Sequence, residues 1–154
     1  MQTTRRHRTI GASTQELWEV VRDPHHLPRW WPRVARVEAV RDDAFTEVLR
    51  TDKGKSVRAD FTLLALDETQ RRLAWAQQLK DSPFARLLSA AETEVRLTPA
   101  GEATNVELEL RQQLTGIFPR LGSYLVRRAA AATLEEALDG LERISVAHPG
   151  AHDA

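Results

Sequence analysis

From Arg33 to Leu114 the chain is one long stretch of short alternating segments broken by turn residues, and a single long amphipathic segment follows it. Period-two alternation with turns at hairpin spacing predicts antiparallel strands. They fall near 34–41, 44–51, 56–66, 71–80, 91–98 and 103–114. A sheet with one apolar side must cover that side. The segment of about 122–145 is suited to do so, because Leu134, Ala137, Leu138, Leu141 and Ile144 recur at helical spacing. Upstream, Thr4–Ala12 reads as a strand, and Ser13-Thr14-Gln15-Glu16 is a capping box that opens a helix. Leu17, Val20 and Val21 give this helix its apolar stripe, and Asp23-Pro24 ends it. A proline-bounded helical turn with Trp30 and Trp31 comes next. Residues 81–90 fit either a short helix capped at Ser82-Pro83 or a wide turn extending the hairpin. The class is α+β: about seven antiparallel strands, two short helices between the first and second, and a long C-terminal helix.

Hairpin register assigns the faces, because residues directly opposite share a side. With Lys53-Gly54 as a two-residue loop, Arg50 meets Val57, Val48 meets Ala59 and Thr46 meets Phe61, which makes that side the interior. Leu49 then meets Arg58 and Glu47 meets Asp60 on the outside. A turn at Ala100–Ala103 sets Leu97 against Val106, Val95 against Leu108 and Thr93 against Leu110, with Arg96–Glu107 and Glu92–Arg111 outside.

Composition narrows the function classes. Twenty-two basic residues balance 22 acidic ones, without the basic excess that proteins tracking nucleic acid or an anionic membrane usually show. There is no cysteine to form a disulfide or a thiolate. Met1–Arg8 is polar and basic, unlike a signal peptide, and no window approaches the ~18 apolar residues that span a bilayer. The expectation is a cytoplasmic protein with one domain over 1–145, a flexible tail over 146–154, and no integral membrane association, as a monomer or homodimer. His25-His26 lacks converging ligands at metal-site spacing, so neither metal nor cofactor is expected. On this register Asp60, Glu92, Glu94, Glu107 and Glu109 point outward, leaving no inward acid–base pair. The arginine pairs Arg5-Arg6, Arg71-Arg72 and Arg127-Arg128 read as solvated edges rather than a nucleic-acid surface.

Several segments resemble the polyketide cyclase/dehydrase and lipid-transport branch of the START-like (SRPBCC) superfamily. They are Ile10–Trp18, Asp23-Pro24 with Leu27–Val34, Arg72-Leu73-Ala74-Trp75, and Pro99-Ala100-Gly101 with Thr104. They occur in the family's order along nearly the whole chain. The resemblance implies a helix-grip fold, a curved sheet wrapped around the C-terminal helix with a ligand cavity between them. It transfers no catalytic residue, and fold alone does not choose a chemistry.

The candidate ligand contacts follow from the faces. Trp31 is a gate over the cavity or, with Trp30, an anchor for the short helix. Phe61 and Trp75 face inward among apolar neighbours. Arg50, Gln77, Thr93 and Gln112 are polar positions on the same face. Tyr124 and Arg127 share a side of the last helix with Ala131, Leu134 and Leu138, beside the small residues Ala129–Ala132. The leading reading is a binding module for a hydrophobic or aromatic small molecule, such as a lipid, isoprenoid or polyketide-like compound. Two alternatives stay open: an enzyme of the cyclase/dehydratase type using the same cavity, and a protein-interaction domain with a filled core.

Overall fold

A computed structural model describes residues 1–116 and 120–146. Its elements are β1 (Gln2–Ile10), α1 (Thr14–Val21), α2 (Leu27–Trp30), β2 (Val34–Glu38), β3 (Ala44–Arg50), β4 (Ser56–Asp67), β5 (Arg72–Gln78), β6 (Leu88–Ala100), β7 (Ala103–Leu114) and α3 (Arg120–Val146). Single 3-10 turns at Pro24–His26 and Pro83–Arg86 precede α2 and β6. The described strands form one antiparallel sheet in the order β1-β7-β6-β5-β4-β3-β2. The expected tail at 146–154 lies, beyond Val146, outside the described residues.

Ser13 caps α1 as expected, its hydroxyl accepting from the Glu16 backbone N–H at 3.1 Å. The buried side of α1 carries Leu17, Trp18 and Val21. Register shifts between Val34 and Arg36, Leu63 and Ala65, and Leu88 and Ala90 mark β-bulges. Bulges bend strands, and here the sheet curves around α3. One end of the enclosed space is filled by Ile10, Trp18, Leu97, Val106, Leu134, Leu138 and Leu141, all essentially inaccessible to solvent.

The β6–β7 hairpin has the expected register, with Leu97, Val95 and Thr93 opposite Val106, Leu108 and Leu110. Its turn is the two-residue Gly101-Glu102, with Gly101 at φ 65°. The β3–β4 hairpin is shifted from expectation by one residue. Phe45 faces Phe61, Glu47 faces Ala59 and Leu49 faces Val57. Three residues, Asp52-Lys53-Gly54, separate Thr51 from Lys55, which bond to each other (Thr51 N–H to Lys55 C=O, 2.8 Å). Gly54 takes φ 78° at the last loop position, where a three-residue hairpin needs a left-handed residue. An odd loop in place of an even one moves every β3 side chain to the other face. Thr46, Val48 and Arg50 therefore point outward, and Phe45, Glu47 and Leu49 inward.

Smaller corrections have local causes. β1 begins and ends two residues early, and β2 stops at Glu38 because Ala39 turns to φ 51°. Residues 81–90 hold both proposed features, a 3-10 turn and then the first residues of β6.

Candidate ligand-binding cavity

α3 divides along its length. Its C-terminal half packs Leu134, Ala137, Leu138 and Leu141 into the core. Its N-terminal half turns Val126, Ala129, Ala130 and Thr133 towards a cavity of about 590 Å³ between helix and sheet. That lies within the roughly 300–1,000 Å³ typical of small-molecule sites. The floor is the concave sheet face, with Phe61, Trp75, Thr93 and Leu110. One wall is the 3-10 turn before β6, through Pro83, Phe84 and Leu87. Arg33, Arg50 and Asp52, all exposed, form the rim at the loop end of β3. A separate void of about 70 Å³, under Val21, Leu27 and Phe45, has room for no more than a few waters.

A continuous array of aromatic rings runs beside the larger cavity, and Trp31, Trp75 and Phe61 of that array line it. Trp30 is buried and anchors α2, with its ring 5.4 Å from Trp31, edge to face. Trp31 meets Trp75 at 6.1 Å, Trp75 meets Phe45 at 6.2 Å, and Phe45 stacks on Phe61 at 5.2 Å. Trp30 is the buried anchor of α2, and Trp31 borders the cavity.

Polar groups interrupt this apolar surface at Glu47, Gln77, Thr93 and Gln112. No side chain of these four has a hydrogen bond or ion pair to another described residue. Glu47 is the least expected. It is 3% exposed, between Phe45 and Leu49 on its own strand and beside Val37 and Ala59 on the flanking strands. Burial without a partner disfavours the charged form, and it pushes the Glu47 carboxyl up to about 8. The register expected from sequence sets this residue outside. Its signal is nevertheless present: the only register that pairs Phe45 with Phe61 also turns Glu47 inward.

Of the expected contacts, Trp31, Phe61, Trp75, Gln77, Thr93 and Gln112 border the cavity, and Arg50 touches only its rim. Tyr124 and Arg127 do not border it. Tyr124 is 56% exposed, and Arg127 lies in a separate shallow depression with Gln2 and Ser123. The stripe through Leu134 and Leu138, extended backwards, passes through these two residues, but the cavity is faced by the neighbouring ridge of Val126, Ala130 and Thr133.

The outer face of the sheet is a lattice of ion pairs. Arg111 binds Glu109 and Glu92, and Arg72 and Arg96 bind Glu94 at 2.8 and 2.6 Å. These are the carboxylates expected to point outward. Among the described residues no cluster of His, Asp and Glu has a metal-binding arrangement, and no helix is long and apolar enough to cross a membrane.

A sequence profile described as polyketide cyclase / dehydrase and lipid transport matches residues 1–145. The chain belongs to this family. No curated protein sequence matches it. Among solved structures it is similar to a START superfamily protein from Mycobacterium smegmatis, at 17% identity over 91% of this chain and 94% of that one, TM-score 0.72. A protein of Thermus thermophilus is 23% identical over 96% of this chain and 99% of its own, TM-score 0.75. The di-domain ARO/CYC BexL from the BE-7585A biosynthetic pathway is 18% identical over 93% of this chain but 46% of its own, TM-score 0.78. At these identities the likeness is one of fold: a START-like, helix-grip domain in the polyketide cyclase / dehydrase and lipid transport family.

Proposed function

We propose that this protein encloses a mostly apolar small molecule between the sheet and the N-terminal half of α3. One observation carries the reading: a largely apolar cavity of about 590 Å³ onto which the polar side chains of Glu47, Gln77, Thr93 and Gln112 open without protein partners. A buried polar group left unpaired costs about 1–3 kcal/mol. Glu47 and Thr93 are buried in this way, and a bound molecule with polar atoms of its own would supply the partners they lack. The aromatic lining of Trp31, Phe61, Trp75 and Phe84 favours a ligand with a ring-containing apolar body. The family description covers carriers and cyclases alike, and enclosure is common to both. The cavity is at odds with a filled-core interaction domain.

Native mass spectrometry of the protein as purified from its host tests the reading, followed by release and identification of any adduct. The expected result is a defined compound of a few hundred daltons with an apolar body. Protein that is empty as purified, and that takes up no lipid, isoprenoid or aromatic polyketide offered to it, overturns the proposal.

A further inference from the structure

We propose that Glu47 acts on the enclosed molecule as a neutral hydrogen-bond donor, and that this molecule carries an uncharged carbonyl within its apolar body. The inference rests on the cavity being a binding site and adds the chemistry of its recognition.

The argument starts from the surroundings of the carboxyl. Phe45, Leu49, Val37 and Ala59 are all apolar, and α3 brings Val126, Ala129, Ala130 and Thr133 to the cavity, none of them titratable. β5, β6 and β7 bring Trp75, Gln77, Thr93, Leu110 and Gln112, again none titratable. Among the described residues the only other charged groups on the cavity are Arg33, Arg50 and Asp52 at the exposed rim. An isolated carboxylate in such surroundings is costly, and a buried group without a counter-ion keeps its proton instead. A protonated carboxyl has one O–H donor, and no described residue accepts from it. Glu47 lines the cavity, so an occupant is placed to accept from it. A carbonyl satisfies the O–H without importing charge. An ammonium ion would ionise Glu47 and bury two charges, with a desolvation penalty for each.

Three probes with one carbon skeleton separate these cases: 2-acetylnaphthalene, 2-ethylnaphthalene and 1-(2-naphthyl)ethylamine. Their affinities are measured by calorimetry on the wild type, Glu47→Gln and Glu47→Leu. The wild type is expected to bind the ketone about tenfold more tightly than the hydrocarbon near pH 6. That preference should fade as the pH rises towards about 10 and Glu47 ionises. Glu47→Leu should bind the hydrocarbon normally with no preference for the ketone. Glu47→Gln should keep part of the preference and lose its pH dependence. A ketone bound no better than the hydrocarbon, an equal preference in Glu47→Leu, or an amine bound more tightly than the ketone each overturns the proposal. Failure of the wild type to bind even the hydrocarbon overturns the cavity reading itself. Carbon-13 NMR titration of the Glu47 carboxyl in the unliganded wild type gives a check that needs no variant to fold. A carboxyl titrating in the ordinary range for glutamate overturns the proposal as well.

Discussion

Glu47 and Glu94 are buried to almost the same depth, 3% and 4% exposed, on opposite faces of one sheet, and their chemistry diverges. Burial pushes Glu94 up, but the hydrogen bond from Arg72 and the charges of Arg96, Arg72 and Arg111 more than offset it, and its carboxyl is held below the usual range. Glu47 has burial alone and titrates at about 8, against 4.5 for an unperturbed glutamate. Between these values the folded protein keeps a proton that the unfolded chain releases, so stability falls as pH rises through the window. At roughly 1.4 kcal/mol per unit the full window is worth a few kcal/mol. Glu47→Gln removes this penalty. The variant is expected to gain on the wild type by about 2–4 kcal/mol in urea unfolding between pH 5 and pH 9. A difference between the two proteins that does not change with pH would show that Glu47 is already ionised in the fold. Natural sites commonly give up stability for function, and Glu47 fits that pattern.

At the scale of elements, the docking of α2 on α3 depends on one missing methyl group. A Cβ on Gly140 would lie 2.3 Å from the Trp30 carbonyl oxygen and 2.7 Å from its Cα. Glycine inside a helix normally costs about 1 kcal/mol relative to alanine, yet here alanine cannot enter without pushing the helices apart. Gly140→Ala should lower stability by about 3 kcal/mol in urea denaturation. An unchanged or raised midpoint would show that the two helices separate freely. The elements themselves were largely legible from sequence, because capping residues, prolines and alternation act locally. Register was legible only where the turn was. Gly101-Glu102 is an even loop framed by Leu97 and Val106, and it placed β6 on β7 correctly. In Thr51–Lys55 the loop length cannot be read from the turn residues, since Lys53-Gly54 fits an even loop as well as the last two of three. Interior and exterior on β3 were exchanged for that reason, and Glu47 with them. Tyr124 and Arg127 failed for a different reason. The residues of α3 that meet the cavity lie one ridge from the line through Leu134 and Leu138, and helical spacing alone cannot report which ridge faces the cavity.

The molecule as a whole keeps a void where it could have had a core. Half of α3 is packed and half roofs the cavity, although larger side chains at the alanine positions would have buried more apolar area. Ala130 tests whether the void is there for a ligand. It is 4% exposed, it borders the cavity, and it shares that cavity with Trp75 and Thr93, so a phenyl group there would take up part of the space. Filling a cavity with apolar surface commonly adds about 0.5–2 kcal/mol of stability. Ala130→Phe is therefore expected to melt at or above the wild-type temperature, to keep the wild-type circular dichroism, and to lose the compound that co-purifies with the protein. The opposite changes in stability and uptake matter more than either alone, because a variant that loses its ligand by misfolding would also lose its melting temperature. If Ala130→Phe folds well and still carries the wild-type compound, the molecule binds elsewhere, and the space under α3 is a packing defect rather than a site.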